Sequence, residues 1–388
     1  MRILINRPEI MTDNSLRETK RVVVWDLPTR LFHWFLAFGF MGAYLTSEND
    51  QLLYTHVYLG YVFLFLLLFR FIWGVVGSRY ARFHAFAYNW PSVSAYLKGL
   101  LNGDASRHIG HNPAGSWAIF AILFLGLAIS LTGLMVLGGE EQHGILKSIV
   151  SYEVGSFAKE VHEIFASLML LLVFLHVSGV IVESVFHNEN LVWSMISGKK
   201  ETSEKSEGVK VFNLVGAALV IAILVSAVFT FRGYVLETEE DLFRPFVSEP
   251  LPTNATWSEE CGDCHLAFHP SLLPERSWQK IMADQTSHFD EDLDLDEETV
   301  AEILQFLINN SAEKGLTEAA NKISRSVAIN ETPISIAEIK YWKEKHRDIE
   351  DVYWKSKEVM SKNNCGACHL DAKDGWFEDS NMRLPKLK

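Results

Sequence analysis

Residues 157–184, FAKEVHEIFASLMLLLVFLHVSGVIVES, form an apolar run that carries two histidines, His162 and His176. A helix that crosses a bilayer needs about 20 mostly apolar residues, and an ionisable group inside one is rare enough to be read as functional by default. The two histidines lie fourteen residues apart. At the rise and turn of an α-helix this is about 21 Å along the axis and nearly the same face. One ring then sits near each membrane surface. Neutral imidazole is a common axial ligand of haem iron, so the spacing suits a helix that offers one ligand to each of two stacked haems. The plainer alternative is a pair of histidines bonded to neighbouring helices.

Outward from this run the 388-residue chain changes character near position 233. Before it, long Leu, Phe, Val and Ala runs dominate; after it, the chain is polar and rich in Asp and Glu. The division reads as a membrane domain at 1–233, a linker at 234–256 and a soluble domain at 257–388. With a net charge of −13 and no basic stripe, nucleic acid is excluded as a partner.

The four cysteines all fall in two copies of one pattern, CGDCH at 261–265 and CGACH at 365–369. Cys-x-x-Cys-His is the c-type haem attachment signature, in which both thiols bond to the porphyrin and the histidine becomes the proximal iron ligand. Cys261, Cys264, Cys365 and Cys368 are thus the attachment residues of two haems c, with His265 and His369 as proximal ligands. A four-thiolate zinc site or a pair of redox dithiols would not require histidine after each pair. Because haem c is attached outside the bacterial cytoplasm, the soluble domain is expected in the periplasm.

Membrane topology gives the same side from other residues. Apolar stretches at about 31–45, 52–77, 117–138, 157–184 and 211–231 make five expected spans, and residues 1–30 show no cleavable secretory pattern. Lys and Arg cluster before span one, between spans two and three and between spans four and five, whereas 46–51 has none and 139–156 has only Lys147. By the positive-inside rule the amino terminus is cytoplasmic and the carboxy-terminal domain periplasmic, in a multi-pass protein of the bacterial inner membrane.

Depth then sorts the membrane histidines. His33 lies at the cytoplasmic start of span one and His56 at the periplasmic start of span two; His162 lies at the periplasmic level of span four and His176 at its cytoplasmic level. His56 with His162, and His33 with His176, are the expected ligand pairs of two haems b. His111 is read as a loop-capping residue, with a haem propionate or quinone contact as the alternative. Arg30 is read equally as a propionate partner or a flanking cation, and Arg70 as snorkelling. His84, His143 and His187 are read as ordinary loop or interface residues.

VWDLPTRLFHW at 24–34, THVYLGY at 55–61, GHNPAG at 110–115, LTG at 131–133 and the span-four histidines resemble the bacterial di-haem cytochrome b family that includes the b subunits of nickel hydrogenases and formate dehydrogenases. The resemblance implies that His33, His56, His162 and His176 bind two haems b and that the domain exchanges electrons with quinone. Such cytochromes anchor a partner enzyme or stand alone.

In the soluble domain, 296–309 (DEETVAEILQFLIN) has the period of one buried helix face, and 336–360 shows a second helical pattern; no strand alternation competes. The fold is therefore expected to be all-α: four haem-binding helices and a fifth anchor helix, then a small, mostly helical di-haem domain in which the porphyrins serve as the core. The acidic run 290–298 is read as a solvated helix start, with docking of a basic partner as the alternative. A sixth ligand for each haem c is open among His269, His288, His346, Met282, Met360 and Met382. CGDCH followed by LLPERSW, SHF at 287–289 and a histidine-bearing helix before CGACH resemble the periplasmic di-haem cytochrome c family, and that resemblance implies His288 and His346 as distal ligands. His269 is read as surface or propionate-facing.

Four irons with both axial positions filled leave no open site for substrate, which favours electron transfer over catalysis at iron. The expectation is an electron carrier of two haems b and two haems c that oxidises quinol and reduces a periplasmic acceptor such as a soluble cytochrome. Two alternatives stand: a cytochrome subunit that delivers electrons from a larger periplasmic oxidoreductase to quinone, and a haem peroxidase or reductase, which needs a five-coordinate iron. Oligomeric state, a homo-oligomer included, is left open.

Overall fold

A computed structural model describes residues 20–48, 52–202, 213–234 and 250–386. The chain starts with a short strand, β1 (Lys20–Val23), followed by α1 (Leu27–Leu45), α2 (Leu53–Val76), α3 (Trp90–Asn102), α4 (Pro113–Gly139), α5 (Tyr152–Phe186) and α6 (Leu191–Ser197). A second strand, β2 (Lys199–Thr202), pairs antiparallel with β1, and α7 (Asn213–Tyr234) follows. Each strand has four residues, too few to show an alternating pattern in the sequence. Most of the expected linker, 235–249, lies outside the described residues.

Among the described residues four helices are long and apolar enough to cross a membrane: α2, α4, α5 and 214–233 of α7. Their outward faces remain apolar, with Phe124 75%, Phe174 67% and Phe229 71% exposed, as lipid contact requires. α1 has 19 residues, carries Thr29, Arg30 and His33 in its first two turns, and is not among these four. α5 keeps both histidines on one unbroken helix of 35 residues.

The chain forms two compact units, and the long helices run through both. Met1–Phe38, Phe63–Leu127 and Ser167–Ser226 make the first. Asp26 organises its start: one carboxylate oxygen accepts from the Thr29 amide at 2.8 Å and caps α1, and the other accepts from Trp73 Nε1 of α2 at 3.1 Å. A buried Asp is tolerated because both oxygens are bonded. Gly198 closes α6 at φ 79°, where a side chain would sit 2.6 Å from the Trp25 carbonyl.

Gly39–Val62, Ala128–Ala166 and Ala227–Lys388 make the second unit. Its carboxy-terminal part contains α8 (Ala255–Glu260), α9 (Glu275–Ala283), α10 (Glu297–Asn309), α11 (Glu318–Ser326), α12 (Lys340–Lys345) and α13 (Asp351–Trp354). α10 matches the expected helix, and Asp296 caps it by accepting from the amides of Glu298 and Thr299. The pattern at 336–360 does not make one helix. It breaks into a 3₁₀ turn, α12 and α13, because 343–351 holds one aliphatic residue, Ile349, and has no face to bury. The domain also has a side-chain core of its own, which includes Trp257, Leu272, Trp278, Ile303, Leu307 and Ile323. These residues come from several short elements, so no single stretch of sequence displays that core.

Candidate haem sites

The second unit brings three histidine pairs together: the expected pair His56 and His162, and two whose pairing the sequence left open. Ring centroids are 6.1 Å apart for His56 and His162, 6.4 Å for His265 and His288, and 6.1 Å for His346 and His369. A metal–imidazole bond is about 2 Å long, as at zinc, and each coordinating nitrogen lies about 1 Å from its ring centroid, so two rings on opposite sides of one metal sit about 6 Å apart. All three pairs fit that spacing. Direct ring stacking would be closer, and unrelated rings need not converge on one value. His33 and His176 both belong to the first unit.

Hydrogen bonds fix which nitrogen is free. Nδ1 of His56 lies 2.8 Å from the Ala43 carbonyl, Nδ1 of His162 3.0 Å from that of Ile129, Nδ1 of His265 2.8 Å from that of Leu266, and Nδ1 of His346 2.8 Å from that of Trp342. A carbonyl oxygen only accepts, so in each ring Nδ1 carries the proton and Nε2 holds the lone pair that a metal needs. Burial pushes His288, His346 and His369 below the usual imidazole value, which keeps them in the neutral, ligating form. Close approach also matters at Gly133 of α4, where an added Cβ would come within 3.1 Å of the His162 ring.

The attachment cysteines lie beside these rings in sequence and in space. Cys261 ends α8, and Cys365 opens a 3₁₀ turn whose first carbonyl accepts from the His369 amide at 2.8 Å. None of the four cysteines is in a disulfide. Burial pushes Cys261 and Cys365 up to about 11, so they are held protonated. Among the described residues no group of three or more His, Cys, Asp or Glu could hold a bare metal ion, so the four thiols do not converge as a zinc site would.

Of the rivals for the sixth position, His269 and Met282 are engaged elsewhere, and Met382 pairs its backbone with that of His369. His269 is buried, not on the surface: its Nδ1 accepts from the Ser271 amide at 3.3 Å and caps a 3₁₀ turn, and its ring packs where a side chain at Gly375 would stand. Met282 belongs to the hydrophobic core, and Met360 is 74% exposed.

Two residues near the His33/His176 level differ from expectation. Asn112, not His111, caps α4, accepting from the Gly115 amide at 2.6 Å. His111 is instead buried between Trp25 and Phe86, at centroid distances of 4.6 and 4.3 Å. Burial first, and then the charges of Arg70 and Lys200, hold it down to about 3. Arg70 does not snorkel: it is 3% exposed, its guanidinium lies 4.6 Å over the Phe83 ring, and its Nη1 has no hydrogen-bond partner. Cation–aromatic stacking leaves no periodic trace, so only the position of Phe83 reveals it. Arg30 donates to the Ile196 carbonyl at 2.6 Å.

Comparison with known proteins divides the chain the same way. The prokaryotic cytochrome b561 family matches residues 24–198, which contain His33, His56, His162 and His176. The dihaem cytochrome c family matches 257–377, which contain both Cys-x-x-Cys-His motifs. The first part is similar to the "Probable Ni/Fe-hydrogenase B-type cytochrome subunit" of Rhodobacter capsulatus, at 23% identity over 48% of this chain and 84% of that protein. The subunit of the same name from Cupriavidus necator is 24% identical over 47% of this chain and 88% of its own length. The second part is similar to the diheme cytochrome c of Rhodobacter sphaeroides, at 34% identity over 33% of this chain and 99% of that one, with a TM-score of 0.30. The chain is thus an electron-transfer protein that joins a cytochrome b561-type part, matched by that family over 24–198, to a dihaem cytochrome c part, matched by that family over 257–377.

Proposed function

We propose that this chain holds four haems and carries electrons between quinol in the bilayer and a soluble periplasmic acceptor. His33 with His176, and His56 with His162, would hold two haems b. Cys261 and Cys264, with His265 and His288, would hold one haem c; Cys365 and Cys368, with His369 and His346, the other. When bound, haem supplies one-electron redox chemistry, and the protein supplies position, axial ligands and tuning. The carbonyls of Ala43, Ile129, Leu266 and Trp342 orient the rings and present Nε2. The membrane domain spans 1–233 with its amino terminus in the cytoplasm of the bacterial cell, and 257–388 lies in the periplasm beyond a linker at 234–256.

The observation that carries this reading is the common ring spacing of 6.1–6.4 Å in three independent histidine pairs. Filled axial positions leave no place for peroxide or nitrite at iron and favour transfer over catalysis. The test is stopped-flow absorbance of the oxidised protein mixed with a quinol analogue, with the b and c bands followed separately. Reduction of b followed by c is expected; failure of quinol to reduce either sinks the reading. A second reading, a subunit that passes electrons from a larger oxidoreductase inward to quinone, is favoured by the similarity of the amino-terminal part to hydrogenase cytochrome subunits. Co-purification of a stoichiometric catalytic subunit, with c reduced before b by a periplasmic donor, would select it.

A further inference from the structure

The carboxy-terminal domain is tied to the loop after α4 and to the start of α5 by charged side chains. Lys322 of α11 is 3% exposed and bonds to Glu140, with Nζ 2.7 Å from Oε2, and to Glu141. Arg325 adds a bond to the Glu140 carbonyl at 2.8 Å. Toward α5, Lys340 lies 3.3 Å from Glu153, and Arg347 donates to Glu160 at 2.9 Å. Among the described residues these ion pairs come from 322–347 on the one side and 140–160 on the other.

Their position in sequence carries the inference. Arg347 immediately follows His346, and Glu160 precedes His162 by two residues, about 3 Å of helix rise. The same ion pair therefore bonds the neighbour of one histidine pair to the neighbour of another. Among the described residues the ion pairs give the His265/His288 pair no such tie: His265 is exposed, and Phe289, next to His288, is 57% exposed beside the acidic run.

We propose that Arg347 and Glu160, held in register by the buried Lys322 cluster, are positioning residues that set the His346/His369 site, and not the His265/His288 site, as the one that exchanges electrons with the His56/His162 site. This rests on the four-haem reading above and adds an order to it, with the His265/His288 site outermost and facing the soluble acceptor. The step moves one electron from iron to iron and neither forms nor breaks a bond; quinol supplies the electron and the soluble acceptor removes it. Transfer rates fall steeply with separation, so the site tied to α5 outcompetes the one that is not. The division of labour among the contacts follows from burial. Exposed pairs such as Arg347 with Glu160, at 58% and 52%, contribute little binding but fix orientation, while removal of one partner of a buried cluster is strongly disruptive.

Two measurements on the full-length, haem-loaded protein in detergent test the order. Replacement of histidine by methionine at a haem c raises its potential and so marks it. In His346→Met the marked site should take electrons from reduced haem b at least tenfold faster than the marked site of His288→Met, which must be reached through a second site. The reverse ranking, or equal rates, overturns the proposed order while leaving the four-haem reading intact; absence of any exchange between b and either c site defeats that reading instead. Independently of electron flow, hydrogen exchange should show loss of amide protection across 340–347 in Arg347→Glu and in Glu160→Arg, with recovery in the double swap. Unchanged protection in both single variants overturns the positioning role.

Discussion

Thr132 Oγ1 lies 3.1 Å from Nδ1 of His162, the same nitrogen that faces the Ile129 carbonyl at 3.0 Å. Because Thr132 itself donates to the Ala128 carbonyl at 2.9 Å, its oxygen is free to accept from the imidazole. Two acceptors on one N–H make the ring a stronger electron donor and stabilise the oxidised iron.

Thr132→Val removes one of them and should raise the midpoint potential of the haem b that His162 would hold. A hydrogen bond of about 0.5–1.5 kcal/mol corresponds to about 20–60 mV at ~59 mV per tenfold for a one-electron couple. Potentiometric titration of the b bands measures it; a downward shift, or none, refutes the tuning role.

On the four-haem reading, His288→Ala and His346→Ala should each leave one haem c five-coordinate, visible as a high-spin signal with half the c-haem amplitude. His269→Ala should give no such signal, since His269 caps a turn, and should lower thermal stability by about 1 kcal/mol, the usual worth of a cap. A high-spin signal from His269→Ala would reverse the ligand assignment.

The Lys322 cluster gives docking a pH window. Burial raises Glu140, but the Lys322 charge outweighs it and holds the carboxyl below its ordinary value of 4.5; burial lowers Lys322, but Glu141 and Glu140 hold it above its ordinary 10.5. The Glu140 contribution is present above about pH 4.5 and is lost as pH falls through its depressed value. The Lys322 contribution is complete below about pH 10.5 and is lost only as pH rises through its elevated one. Protection of α11 amides in hydrogen exchange should accordingly be flat from about pH 5 to 10 and weaken in acid. Lys322→Met should cost about 3–5 kcal/mol of that protection, and adding Glu140→Gln and Glu141→Gln should restore most of it. An unaltered opening free energy in Lys322→Met would contradict this.

Tyr96 of α3 donates its hydroxyl to the Glu183 carboxylate of α5, both residues being buried. Tyr96→Phe leaves that carboxylate short of a donor and should destabilise the first unit by about 1–3 kcal/mol, read as a lower thermal midpoint of the membrane domain. Both haem b spectra should survive, because no histidine of either pair is touched. Loss of a b spectrum would place Tyr96 in a haem site.

The sequence by itself determined what is written in local patterns. Two copies of Cys-x-x-Cys-His announce covalent haem because attachment chemistry needs those groups within five residues. The apolar runs announce α2, α4, α5 and α7 because lipid demands length and apolarity, and each helix lies within a few residues of its expected place. Depth along those runs suggested His56 and His162 as a pair, and their ring centroids lie 6.1 Å apart. Tertiary structure alone decided that His265 faces His288 and His346 faces His369, that Arg70 lies over Phe83, that His111 is buried while Asn112 caps, and that Arg347 reaches Glu160. Arg347 and Glu160 are 187 residues apart. A contact across that separation depends on how helices are ordered about one another, and helix order follows from side-chain packing between elements, which leaves no period in any one of them.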